Sequence, residues 1–266
     1  MPCALLHGGT PSWILYALFT LSVRDALWQF YRRNPKPFQR LCRELWPGNF
    51  RPTPAHAFFT LLHRRGKLLR CFTQNIDSLE SAAGLPKTAV VAAHGNFDGA
   101  HVVGSQRPVP IEEVREAAFG GAAEWAALEG QYGGLVKPDI VFFGENLPER
   151  FFECARTDLP QATLLLIFGT SLAVHPFASL VGATQRGVPR LLINRERVGE
   201  SLGLDFDGRG FASGATDDGF EQRDCDEAVR VLCELLGWQA ELQTVQEGFP
   251  ESRAAGAMAG AATATA

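Results

Sequence analysis

Hydrophobic and polar positions follow two different rhythms along this chain. Between Leu68 and Phe97 (LLRCFTQNIDSLESAAGLPKTAVVAAHGNF) stand two apolar runs, Leu68–Phe72 and Thr88–Ala93. Both are too short for helices and rich in branched and aromatic residues, which predicts buried strands. The first ends in Thr73, Gln74, Asn75 and Asp77, and the second in His94-Gly95. Asp77–Ala83 between them predicts a short helix, closed by Gly84 and Pro86. Three later runs end in the same way. Pro138–Phe143 leads into Gly144-Glu145, Thr163–Phe168 into Gly169-Thr170-Ser171, and Val188–Ile193 into Asn194-Arg195.

The other rhythm is helical. Apolar residues recur three and four apart from Trp13 to Trp46, with a break at Asn34-Pro35, a restart at Pro37 and a stop at Trp46-Pro47-Gly48. Thr53 caps a further helix with Pro54 in its first turn, running through Phe58, Leu61 and Leu62 to Gly66. Helices are also predicted for Ile111–Phe119, from Pro148, and for Asp226–Leu236 up to Gly237. Asp98–Gly134, rich in Gly and Ala, reads as a small excursion with one helix. From about Glu247 Ala, Gly and Thr dominate, a composition that builds no core, so 246–266 reads as a disordered tail. Short buried strands alternating with helices predict an α/β fold with a parallel sheet. In such sheets ligands bind beyond the carboxyl ends of the strands.

Composition narrows the class. The 266 residues, 46% of them apolar, suffice for one large domain. A net charge of -4 and a pI near 5.9 offer no bulk attraction for nucleic acid. The six cysteines form no CxxC pair and predict a reduced, intracellular protein, cytoplasmic or nuclear, with mitochondria left open. Trp13–Leu21 falls short of the roughly 20 residues that cross a bilayer and reads as a core helix. No positive charge precedes it, so it does not read as a secretory signal.

The strand ends offer several chemistries. Gly169-Thr170-Ser171 presents backbone N–H groups and hydroxyls for phosphate or ribose oxygens, or is simply a turn. Asn194-Arg195 is a ribose-binding pair or a solvated turn. His94 is a general base or a structural histidine. Asn75 and Asp77 could recognise an amide, or Asp77 could cap the helix that follows. The GxGxxG and GxxxxGK[ST] loops are both absent.

Taken together, TQNID (73–77), HGNF (94–97), GGLVKPDIVFFGENLP (133–148), GTSLAVHPFASL (169–180) and LLINRE (191–196) resemble the sirtuins, NAD-dependent protein-lysine deacetylases. The resemblance spans about Trp13 to Leu242 and is strongest to the eukaryotic cytosolic and mitochondrial branch. It implies a Rossmann-like parallel sheet flanked by helices, with a catalytic domain over 1–245 and a small insertion at about 98–136. It implies NAD as cofactor. Gln74 and His94 would meet the nicotinamide ribose, Asn75, Ile76 and Asp77 would enclose the nicotinamide, and Gly169, Thr170 and Ser171 would meet phosphates and adjoining ribose. Asn194 and Arg195 would hold the adenosine ribose, with Asp224-Cys225 beside the adenine. An acetylated protein, of histone or tubulin type, would add as a strand between Val141–Glu145 (including Phe143 and Gly144) and Val174–Phe177 (including His175). Ile76, Ile140, Phe143 and Val174 would line an apolar tunnel that admits a neutral acyl-lysine and rejects the charged amine. In this chemistry the acetyl oxygen attacks the ribose as nicotinamide leaves, and His94 deprotonates a ribose hydroxyl, with Asn75 as the second catalytic residue.

Two features depart from the family pattern. The opening strand, its GAGxS loop and the following Asp-Phe-Arg segment are not found, and Gly9–Tyr16 is the nearest remnant. No cysteine lies between His94 and Lys137, so the family's four-cysteine zinc site has no ligands; Val102, Ser105, Glu129 and Tyr132 fall near its positions. The expectation is therefore no zinc, no direct nucleic-acid contact and no membrane. Beside the deacetylase stands a reading of another class: a catalytically impaired, peptide-binding relative, or the product of an incomplete gene model.

Overall fold

The computed structural model describes residues 24–142, 144–207 and 218–251. The helix expected at Trp13–Leu21, the remnant at Gly9–Tyr16, Phe143 and most of the Ala-rich tail lie outside them. Helix α1 (Arg24–Arg33) and α2 (Lys36–Leu45) are parted at Asn34-Pro35, and α3 is Pro54–Arg64. Strand β1 (Cys71–Thr73), the single turn α4 (Leu79–Ala82) and β2 (Val90–Ala92) form the expected strand–helix–strand unit, with β1 and β2 parallel. The small module follows as β3 (Gly95–Val102), β4 (Pro108–Val109), α5 (Ile111–Gly120), α6 (Ala122–Tyr132) and β5 (Val136–Ile140). Then come α7 (Glu149–Asp158), β6 (Leu165–Phe168), β7 (Arg190–Asn194), β8 (Gly219–Gln222), α8 (Cys225–Leu236) and α9 (Gln239–Glu247).

The class is α/β, with parallel strands flanked by helices, but the strands are shared among three sheets. β1 pairs with β2, and β6, β7 and β8 pair in that order, all parallel. The reading of Pro138–Phe143 as a fifth parallel strand is corrected: β5 runs antiparallel to β3 in the order β4-β3-β5. Asp98–Gly134 likewise holds two helices rather than one, split where Gly121 takes φ +111°. The cause is non-local. β3 reads GNFDGAHV, a stretch of low strand propensity, and becomes a strand because β4 and β5 pair with it on either side.

Three apolar clusters position the strand ends. α3 buries Ala57, Phe58 and Leu61 against Ile193 of β7 and Ala228, Val229 and Cys233 of α8. Each such large side chain contributes about 2 kcal/mol by leaving water. Phe249 joins this cluster, so the packed chain runs beyond residue 245. β2 and α7 share Val91, Ala93, Phe151 and Cys154. The module packs Val102, Val109, Val114, Trp125, Leu128 and Val136 onto Leu41, Leu45 and Trp46 of the α2 end. Among the described residues no helix is long and apolar enough to cross a membrane, and the described cysteines are free thiols.

The start of α3 contains a pH-sensitive cap. Nδ1 of His56 accepts the Thr53 N–H at 3.2 Å in a reciprocal capping arrangement, and Asp226 Oδ1 accepts the Ala55 N–H at 3.0 Å. Burial holds the His56 imidazole down at about 4 from its usual 6.5, against the pull of Asp226. The unfolded chain therefore takes up a proton below pH 6.5 that the folded chain refuses, and stability drains away between pH 6.5 and about 4. The full loss is about 3 kcal/mol at 1.36 kcal/mol per unit. His56→Gln keeps an acceptor at this capping position but does not titrate. Urea unfolding from pH 7 to 4.5 should show a shallower decline for the variant; parallel declines would refute the assignment.

Candidate active site at the strand ends

The polar tips of β1, β2, β6 and β7 are joined by hydrogen bonds. His94, two residues beyond the end of β2, places Nδ1 3.1 Å from the Gln74 carbonyl. Gln74 Nε2 donates to Thr170 Oγ1 at 3.1 Å, and Asn194 Nδ2 donates to the Thr170 carbonyl at 3.1 Å. Residues from four strand ends thus share one chain of contacts. Because a carbonyl only accepts, Nδ1 of His94 carries the hydrogen and Nε2 keeps its lone pair. Burial holds the imidazole below its ordinary value, opposed by the Gln74 carbonyl, so it is neutral at pH 7 and competent as a base.

The turn after β1 is built for strain and burial. Ser78 takes a left-handed φ of +59°, and its buried Oγ has no hydrogen-bond partner among the described residues. Asp77, 7% exposed, caps α4 by accepting the Leu79 N–H at 3.1 Å, as one of its sequence readings expects. Burial raises its carboxyl, and the Leu79 N–H opposes that rise. Behind it the buried Glu80 is pushed up to about 7, first by desolvation and then by Asp77, while a hydrogen bond from the Thr73 side chain opposes the shift. Thr73 Oγ1 also accepts the Asn75 N–H at 3.0 Å. The support that Thr73 and Glu80 give Asn75 went unread in the sequence. A glutamate in a four-residue helix looks solvated until its partners are known.

Other sequence candidates take varied places. Gly169 turns at φ +53° and its N–H donates to Ile193; Leu172, at φ +51°, donates to Thr170 Oγ1, and Ser171 is exposed between them. Arg195 is exposed and pairs with Asp224 at 2.6 Å. Cys225 is buried at the start of α8, its thiol directed to the Ile193 carbonyl at 3.9 Å. The Val141 N–H donates to the His94 carbonyl at 2.8 Å, tying the expected peptide segment to the histidine backbone. Ile140 is buried; Ile76, Val141 and Val174 are half-buried; Gly144 and His175 are exposed. The Glu145 carboxylate turns inward to accept the Phe142 N–H at 2.7 Å. Phe177 packs in a different cluster, on Phe151 at 6.1 Å between ring centroids.

This donor set fits a dinucleotide: two hydroxyls, the Gln74 and Asn194 amides, the Arg195 guanidinium and a buried Ser78 oxygen with no partner among the described residues belong to the strand ends and the turns that follow them. A cavity of about 620 Å³ lies elsewhere, between α7 and the turn after Pro176, and lacks these groups. The four positions near the family's zinc ligands carry other interactions. Val102 is core, Ser105 Oγ accepts the Arg107 N–H at 3.4 Å, Glu129 accepts from Gln39 at 3.0 Å, and the Tyr132 hydroxyl donates to Glu113 at 3.0 Å. Among the described residues no group of three or more His, Cys, Asp or Glu side chains gathers to hold a metal.

A model of the Sir2 family matches residues 22–176. NAD-dependent deacetylase sir2A of Dictyostelium discoideum is 43% identical over 233 residues, 85% of this chain and 44% of that protein. NAD-dependent protein deacetylase sirtuin-2 of Danio rerio is 41% identical over 239 residues, covering 85% of this chain and 61% of its own length. NAD-dependent protein deacetylase sirtuin-3 of Mus musculus is 44% identical over 220 residues, 80% and 60% of the two chains. The chain spans about half the length of the curated relatives it matches. With the family model covering more than half of its residues and relatives of this similarity along most of its length, this chain belongs to the Sir2 family.

Proposed function

We propose that this chain is an NAD-dependent protein-lysine deacetylase acting on acetylated proteins inside the cell. The observation that carries the reading is the chain of contacts from His94 through Gln74 and Thr170 to Asn194, which brings a neutral imidazole together with amide and hydroxyl groups suited to a dinucleotide. The relatives' names add NAD dependence and deacetylation.

In this reading Gln74, Asn75, Ile76 and Asp77 hold the nicotinamide end of NAD. Gly169, Thr170 and Ser171 hold its phosphates, and Asn194 and Arg195 the adenosine ribose, beside Cys225. Bound NAD supplies the activated ribose carbon that accepts the acetyl oxygen. His94 takes a proton at Nε2 from a ribose hydroxyl while its Nδ1–H stays with Gln74, so the ring keeps its orientation through the transfer. Asn75, steadied by Thr73, orients the amide chemistry next to it. Val141, Gly144 and Glu145 on one side and Val174, His175 and Phe177 on the other flank the peptide, and Ile140 lines the acyl-lysine path. The peptide-binding module without catalysis is the competing reading. Nicotinamide release from NAD that requires an acetyl-lysine peptide supports the enzyme. Peptide binding without nicotinamide release supports the module.

A further inference from the structure

We propose that Lys137 is a positioning residue for the acyl-peptide segment, its buried ammonium holding Ile140, Phe142 and Glu145 in the arrangement that the substrate pairs with. The inference rests on the deacetylase reading and deepens it.

Lys137 sits in β5 and is 1% exposed. Its Nζ donates to the Ile140 carbonyl at 2.8 Å and to Glu145 Oε2 at 2.6 Å. That same Oε2 accepts the Phe142 N–H at 2.7 Å. Nζ also lies 4.3 Å from the centroid of the Phe142 ring. One ammonium therefore meets the beginning, middle and end of this segment. Such a task suits lysine, whose three N–H vectors diverge, and not arginine, whose donors lie in a plane.

The surroundings make the grip one-sided. Phe142 is met edge-on by Phe38 at 4.8 Å and Tyr31 at 5.4 Å, so α1 and α2 close over the ring. At the other end Val141 is bonded to the His94 carbonyl, and Gly95 pairs with Ile140. The segment is thus fastened to the base on one flank and shaped by Lys137 on the other. Desolvation pulls the ammonium below its ordinary value and Glu145 opposes that shift. Burying a charge carries a desolvation cost that an apolar side chain of equal volume would avoid. Lys137 therefore serves the geometry of the segment rather than its burial.

The test is nicotinamide release by the full chain, with an acetyl-lysine peptide and NAD each varied, for wild type and Lys137→Met. The peptide KM should rise at least about tenfold, the scale of a small misplacement of reacting groups, while the KM for NAD stays unchanged. Lys137→Arg should not rescue it. A merely structural role would lower the amount of active enzyme, and so kcat, without moving the peptide KM; that outcome overturns the inference. Should K137M fail to fold, Lys137→Gln, which removes the charge but keeps an N–H donor and leaves Glu145 untouched, carries the same comparison. A wild-type chain that releases no nicotinamide overturns the deacetylase reading and this inference with it. Release by wild type with an unmoved peptide KM in the variants overturns this inference alone.

Discussion

His94→Ala is expected to abolish acetyl-peptide-dependent nicotinamide turnover, with kcat lowered on the order of 10²–10⁴-fold, the range for removing a general base. The imidazole is half-buried, its Nδ1–H is held by the Gln74 carbonyl, and Nε2 keeps its lone pair. No other described histidine is joined to this set of contacts: His56 caps α3 and His101 pairs with Asp139 at 2.6 Å. The loss should come without unfolding, because the backbone contact that matters here, Val141 N–H to the residue-94 carbonyl, survives the substitution. Equal melting temperatures with lost turnover support the assignment. A variant within about threefold of wild type would remove His94 from the mechanism, since a working base contributes far more than that.

Gly95→Ala should be as damaging by a different route. Gly95 takes φ +67°, and a Cβ there would overlap the Asp139 carbonyl oxygen and stand 2.8 Å from the carbonyl carbon. Both obstacles are backbone, so no rotamer change relieves them. Left-handed strain and overpacking together cost about 3 kcal/mol or more. β3 and β5 must move apart where Gly95 pairs with Ile140, carrying His94 away from Val141. The expected result is a chain with a melting temperature lower by several degrees and almost no nicotinamide release. Unchanged stability and activity would show that the β3–β5 approach is looser than this geometry requires. Gly104 offers a control, because a Cβ there meets nothing within 4 Å, although its φ of +91° adds strain of its own.

Local pattern reached far into this protein. Short branched runs ending in TQNID, HG, GTS and NRE marked four strand ends, since a buried strand and its polar terminus are both written in neighbouring residues. Thr53-Pro54 marked the start of α3, and Asp77 its role as a helix cap, for the same reason. Polar residues buried by remote partners were not readable. Lys137 and Glu80 look like surface charges until Glu145, Phe142 and Thr73 close around them. Phe249 looks like part of an Ala-rich tail until it meets the α3–α8 cluster.

By itself the sequence determined the α/β class, the family and which residues stand at the ends of the strands, because each depends on contacts along a few consecutive residues or on motif order. Tertiary structure alone decided that β5 is antiparallel, that GNFDGAHV is a strand at all, and that the Glu145 carboxylate turns inward. Those outcomes depend on hydrogen bonds, burial and charge contributed by partners brought in by folding, and the residues on either side of each position carry no record of them.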